Sequence, residues 1–163
     1  KIFSKMIPEM VTNLSEEVKE RIFIYQQVKE EDVEILQEIY KKNKVACEIK
    51  SFFTDMNEKL AETSLVIARS GASTIAELIE IEVPGILIPL PSSADNHQYY
   101  NAKEMDDKNA GWLIEEGPNA QASLRKLVKS IEKDSSILKK CSVQLKTMQQ
   151  DACQNIIDVI QKT

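Results

Sequence analysis

The chain has 163 residues, 42% of them apolar and 29% charged, and its 26 acidic and 21 basic side chains leave a net charge of −5. That length suits one hydrophobic core rather than two, so residues 1–163 read as a single domain, and the acidic balance speaks against a free-standing nucleic-acid binder, which carries a basic stripe. No apolar run approaches the ~20 residues of a transmembrane helix or the ~7 of a signal-peptide core, so a soluble, intracellular chain is expected.

Ile2, Phe3, Met6, Ile7, Met10, Val11 and Leu14 recur at helical spacing, so the opening segment reads as an amphipathic helix. Residues 21–26 are β-branched and aromatic and predict a strand. A helix over 30–42 follows, with Val33, Leu36, Ile39 and Tyr40 on one face, then a strand over 45–53 that runs into a loop. Thr54 and Asp55 are suitable N-caps for a short helix over 56–61. Residues 65–68 form an apolar strand of the type buried on both faces, 72–81 a helix that Pro84 and Gly85 end, and 86–90 the next strand. A helix over 96–108 and a strand over 111–114 come next, then three helices near 120–133, 136–149 and 151–162.

Strands alternating with helices imply a parallel sheet covered by helices. The fold class is therefore α/β, a Rossmann-like doubly wound sheet with extra C-terminal helices. Because Lys1 opens inside a helical pattern, the sequence reads as a fragment whose sheet lacks its first strand. Cys47, Cys141 and Cys153 make no C-x-x-C pair and have one histidine for company, so reduced thiols are expected rather than disulfides or a metal site.

Ligands of such sheets bind where strands run into helices, and two of these junctions carry polar motifs. The first is Arg69-Ser70-Gly71-Ala72-Ser73-Thr74-Ile75-Ala76-Glu77. Small residues let the backbone approach a ligand, and the helix that follows offers unpaired amides and a partial positive charge, which suits a phosphate or diphosphate. Thr74-x-x-Glu77 also fits a capping box, and pattern alone favours that reading. Arg69 can equally pair with a carboxylate.

The second is Pro89-Leu90-Pro91-Ser92-Ser93-Ala94-Asp95-Asn96-His97-Gln98-Tyr99-Tyr100-Asn101. Two prolines stiffen the strand exit, and Asp95 or Asn96 caps a helix whose first turn holds His97 and Gln98, with Asn101 one turn on. Directional polar groups of this kind suit sugar hydroxyls. An exposed loop histidine and a packed tyrosine pair are the bland alternatives.

Taken together with Phe53-Thr54-Asp55-Met56 and Pro84-Gly85-Ile86-Leu87-Ile88-Pro89, these motifs closely resemble, in order and spacing, the C-terminal half of the MurG family, glycosyltransferase family 28 enzymes of GT-B fold. The resemblance runs from about residue 2 to about residue 160. It implies a domain that binds UDP-GlcNAc for transfer to lipid I, giving lipid II in peptidoglycan synthesis. By the same resemblance Phe53, Thr54 and Met56 lie at the loop that holds uracil through backbone groups. Ser70, Gly71, Ala72, Ser73 and Thr74 accept the diphosphate, Glu77 holds the ribose hydroxyls, and His97 and Gln98 lie against GlcNAc. Arg69 and Asn101 complete the donor-contacting set.

The family's glycine-rich loop and its N-terminal domain are missing from this sequence. That domain carries the acceptor site, the catalytic base and the membrane-contacting surface. No catalytic residue is therefore expected in this chain, which should bind donor weakly and not turn over alone. Its sheet should show a gap or a rearrangement. The implied whole enzyme is inverting, needs no obligatory metal or cofactor, and sits peripherally on the cytoplasmic face of the inner membrane. Two alternatives stay open: the donor subunit of a two-chain GlcNAc transferase, and a non-catalytic nucleotide-sugar binding fragment. UDP-GlcNAc 2-epimerases share a related glycine–glutamate turn but lack the Asn-His-Gln-Tyr segment.

Overall fold

The computed structural model describes residues 2–161, and side chains within residues 2–151, so Cys153 lies outside the described side chains. Its contacts gather into two compact units, one of Lys1–Lys59 with Gln121–Glu132, the other of Leu60–Ala120 with Lys133–Thr163. All strand pairing is parallel, as the alternating pattern requires, and it falls into a two-stranded and a three-stranded sheet.

In the first unit, α1 (Ile2–Thr12) and α2 (Glu16–Arg21) precede β1 (Phe23–Gln27), α3 (Glu30–Lys42), β2 (Ala46–Lys50) and α4 (Met56–Ala61). β1 and β2 pair from Phe23↔Ala46 to Gln27↔Lys50. Acidic residues open α3 and Lys41 and Lys42 close it, complementing the helix dipole. Tyr40 is fully buried, and its hydroxyl donates to Gln26 Oε1 at 2.6 Å, while Gln26 Nε2 donates to the Phe3 carbonyl at 3.2 Å. One buried polar chain thus ties α1, β1 and α3 together, and burial pushes the Tyr40 phenol well above its ordinary value. Helix α7 (Ala120–Lys133) docks on α1 through Arg125 to Glu9 at 2.9 Å and Gln121 to the Met6 carbonyl at 3.2 Å.

The second unit holds β3 (Val66–Ala68), α5 (Ala72–Glu80), β4 (Gly85–Leu87), α6 (His97–Asp107), β5 (Gly111–Leu113) and α8 (Ser136–Gln161), with sheet order β3-β4-β5. Its core joins Leu78 of α5, Leu87 of β4, Ala102 and Met105 of α6 and Leu145 of α8. β4 is shorter than expected because Pro89 has no amide to donate, although Ile88 N still reaches the Ala68 carbonyl at 2.9 Å. β3 is half-buried rather than fully covered. The two helices expected near 136–149 and 151–162 are one, since no Gly or Pro interrupts residues 136–161.

Three helix-to-strand turns share one geometry. Lys44, Glu82 and Asn109 follow α3, α5 and α6 in the left-handed region, at φ 56°, 56° and 54°. The next residue in each case is buried and donates five residues back: Val45 to Tyr40 O, Val83 to Leu78 O and Ala110 to Met105 O. Glycine is the residue that normally relieves such a position, and none of the three turns has it. Replacing exposed or half-exposed non-glycine residues here should stabilise. Glu82→Gly is expected to raise unfolding free energy by about 1 kcal/mol, read as a higher urea midpoint at constant slope.

Candidate functional site

The carboxyl ends of β3, β4 and β5 bring the two polar motifs of the second unit together. Ser70 follows β3 and is fully buried; its Oγ donates to the Gln98 carbonyl at 2.7 Å, and its own carbonyl accepts from Asn101 Nδ2 at 3.0 Å. A buried serine bonded on both sides locks the mouth of β3 to the first turn of α6. Ser70 and Asn101 are therefore joined to each other.

Helix α5 starts at Ala72 with Gly71 as its N-cap, and no side chain caps it. Thr74 is its third residue and Glu77 its sixth, so the pair does not form the capping box that the pattern favoured. The box requires Ser or Thr at the N-cap itself, and Gly71 occupies that place. The first amides of α5 are left without a side-chain acceptor, Ala72 and Ser73 are exposed, and the helix dipole adds partial positive charge there. The Glu77 side chain is exposed and makes no hydrogen bond or ion pair among the described residues, while its backbone carbonyl accepts from Ile81 N at 3.0 Å.

A short 3₁₀ turn, Ala94–Asn96, leads into α6. Asp95 and Asn96 both take positive φ, 48° and 54°, conformations that Asp and Asn tolerate better than most residues. Asn96 occupies the N-cap position, yet its side chain bonds no helix amide, because the left-handed backbone turns it away from the usual capping geometry. His97 Nδ1 lies 2.7 Å from the Ala94 carbonyl. A carbonyl only accepts, so Nδ1 carries the proton and the exposed ring offers Nε2 as an acceptor when neutral. Gln98 Oε1 accepts from Leu90 N at 3.0 Å, which holds the strand exit and leaves the amide Nε2 as a donor.

Arg69 Nη1 lies 3.0 Å from the Ile88 carbonyl, 2.8 Å from that of Pro89 and 2.6 Å from Glu116 Oε2. The guanidinium thus spans the exits of all three strands, in partnership with a carboxylate. Glu116 was not legible as a site residue, although a carboxylate pair directly after a strand, Glu115-Glu116, was the available signal. A cleft of about 360 Å³ opens here, lined by Pro89, Pro91, Asn96, Tyr99, Tyr100, Glu115 and Glu116.

Phe53, Thr54 and Met56 belong to the first unit. Phe53 is buried with the Lys50 ammonium 5.4 Å from its ring centroid, Thr54 is exposed, and Met56 begins α4 half-buried. Cys47 and Cys141 are free thiols, and burial pushes both above the ordinary thiol range. Among the described residues no three His, Cys, Asp or Glu side chains gather to hold a metal ion, and no helix is long and apolar enough to cross a membrane.

Residues 1–160 match the family model described as the glycosyltransferase family 28 C-terminal domain. The chain belongs to this family. Similar proteins include the UDP-N-acetylglucosamine–N-acetylmuramyl-(pentapeptide) pyrophosphoryl-undecaprenol N-acetylglucosamine transferase of Wolbachia pipientis (strain wPip), 40% identical over 77% of this chain and 37% of the relative. The protein of that name from Rickettsia felis is 37% identical over 99% of this chain and 45% of its own length. The crystal structure of Acinetobacter baumannii MurG superposes with a TM-score of 0.79 at 25% identity, covering 99% of this chain and 48% of that one. The chain thus spans less than half the length of these relatives, and its Rossmann-like α/β architecture is that of their family 28 C-terminal domain.

Proposed function

We propose that this chain acts as one donor-binding domain, the half of an inverting N-acetylglucosaminyltransferase that holds UDP-GlcNAc for transfer to lipid I. The reading rests on one juxtaposition: an uncapped helix start with a free carboxylate one turn along it, pinned through Ser70 to the turn that presents His97 and Gln98.

Each part matches a part of the donor. The amides of residues 72–74 and the α5 dipole suit a diphosphate, and they suit it better as the leaving group gains charge, which is where such groups accelerate transfer. A carboxylate suits a vicinal diol, so Glu77 takes the ribose hydroxyls. The His97 imidazole nitrogen and the Gln98 amide are directional partners for sugar hydroxyls. Positive charge from amides and dipole makes a metal dispensable in this scheme. The acceptor site, the catalytic base and attachment to the cytoplasmic membrane face are assigned to the acceptor half that the longer relatives carry.

Calorimetric titration tests the donor assignment. UDP-GlcNAc is expected to bind at least tenfold more tightly than UDP-glucose and GDP-mannose, since a site that hydrogen-bonds particular groups rejects analogues lacking them. Equal affinity for all three would remove the assignment.

A further inference from the structure

We propose that Glu116 is a positioning residue for the sugar end of the donor site, acting through Arg69; the inference rests on the donor reading above. The segment leaving β4 is poor in donors, because Pro89 and Pro91 have no amide hydrogen. It is held instead by its acceptors, the Ile88 and Pro89 carbonyls, which both face Arg69 Nη1. Two carbonyls do not neutralise a guanidinium. Glu116 does, at 2.6 Å, in a charge-assisted bond that fixes where the group points. The next residue after Pro89 completes the connection, since Leu90 N donates to Gln98 Oε1. A continuous path therefore runs from Glu116 through Arg69 and the β4 exit to the side chain of Gln98, beside His97.

The diphosphate end is held in another way. Ser70 is buried and bonded to Gln98 O and Asn101 Nδ2, and neither bond passes through the guanidinium. Loss of Glu116 should therefore loosen the sugar-facing groups and spare the α5 turn. Both partners are about 30% exposed or slightly less, so the pair is partly open to solvent, and melting curves of the variants separate a positioning role from a scaffolding one.

The test is a calorimetric comparison of UDP-GlcNAc with UDP on the chain and its Glu116→Ala and Glu116→Gln variants, with melting curves to confirm the fold. Glu116→Ala is expected to weaken UDP-GlcNAc about tenfold, the effect of one lost charge-assisted contact, while UDP changes less than about twofold. Glu116→Gln keeps an acceptor in place without the charge and should lose only about threefold. Adding Glu116→Ala to Arg69→Met should cost nothing beyond Arg69→Met alone, since the two act in series. Unchanged UDP-GlcNAc affinity in Glu116→Ala, or an equal loss for both nucleotides, overturns the inference. If the unaltered chain binds neither nucleotide, the donor reading itself falls and takes this inference with it.

Discussion

Gly111→Ala should lower the unfolding free energy by about 3 kcal/mol, at the upper end of what one inserted methyl costs in a packed core. A Cβ on Gly111 would stand 2.7 Å from the carbonyl oxygen of Gly85, its register partner across the β4–β5 pair. The obstructing atom is backbone within a parallel ladder, so it cannot swing away as a side-chain terminus could. Relief requires β5 to separate from β4, and Ile114 N, which donates to Leu87 O at 2.9 Å, would move with it. In a chain of this size 1 kcal/mol corresponds to roughly 2–4 °C, so a fall of about 6–12 °C in Tm is expected. Trp112, the single tryptophan, sits next to the change and reports it by fluorescence. Gly117→Ala is the control: nothing lies within 4 Å of its added Cβ and its φ is not positive, so it should be neutral or slightly stabilising. Equal stability of the two variants would mean that the strands do not approach so closely at Gly111.

Much of this architecture was readable from the hydrophobic period, since α3 begins after Lys29 with no side-chain cap. Helices over 30–42 and 56–61 lie where the pattern put them, to the residue, and the helix expected near 120–133 is Ala120–Lys133. Each has a local signal that its tertiary surroundings do not override. The failures share a different cause. Helix α2 is only six residues long, too short for a periodic signal, and rests on the Ser15 side chain accepting from Val18 N. The turns at Lys44, Glu82 and Asn109 carried no glycine to announce a left-handed residue; buried neighbours at Val45, Val83 and Ala110 impose it. Packing that a reader of the sequence cannot see decided those conformations.

At the site the same division holds. Small residues after β3 marked the uncapped helix start, and polar residues after β4 marked the second turn. That Ser70 and Asn101 bond each other across 31 positions is a tertiary fact, as is the 47-residue link from Arg69 to Glu116. The Thr74–Glu77 spacing misled for a related reason. Spacing gives the relative position of two residues, while a capping box depends on where the helix begins, and Gly71 sets that.

That shift of register is what makes Glu77→Ala informative. A glutamate that closed a capping box would stabilise the helix, and its removal would lower the melting temperature. Glu77 instead lies in the second turn, its side chain exposed and without a protein partner among the described residues, and alanine is the better helix former. Melting should therefore stay within about 0.5 kcal/mol of the unaltered chain. Donor binding should not. Hydrogen bonds to a charged group contribute about 1.5–3 kcal/mol each, so losing the carboxylate's grip on a ribose diol should weaken UDP-GlcNAc roughly 10- to 150-fold. Because UDP carries the same ribose, its affinity should fall by the same factor. That distinguishes Glu77 from Glu116, whose loss is expected to separate the two nucleotides. Glu77→Gln, which accepts through one oxygen only, should fall between the parent and the alanine variant. Full affinity in Glu77→Ala, or a loss of binding that merely tracks a loss of fold, would remove the carboxylate from the donor site.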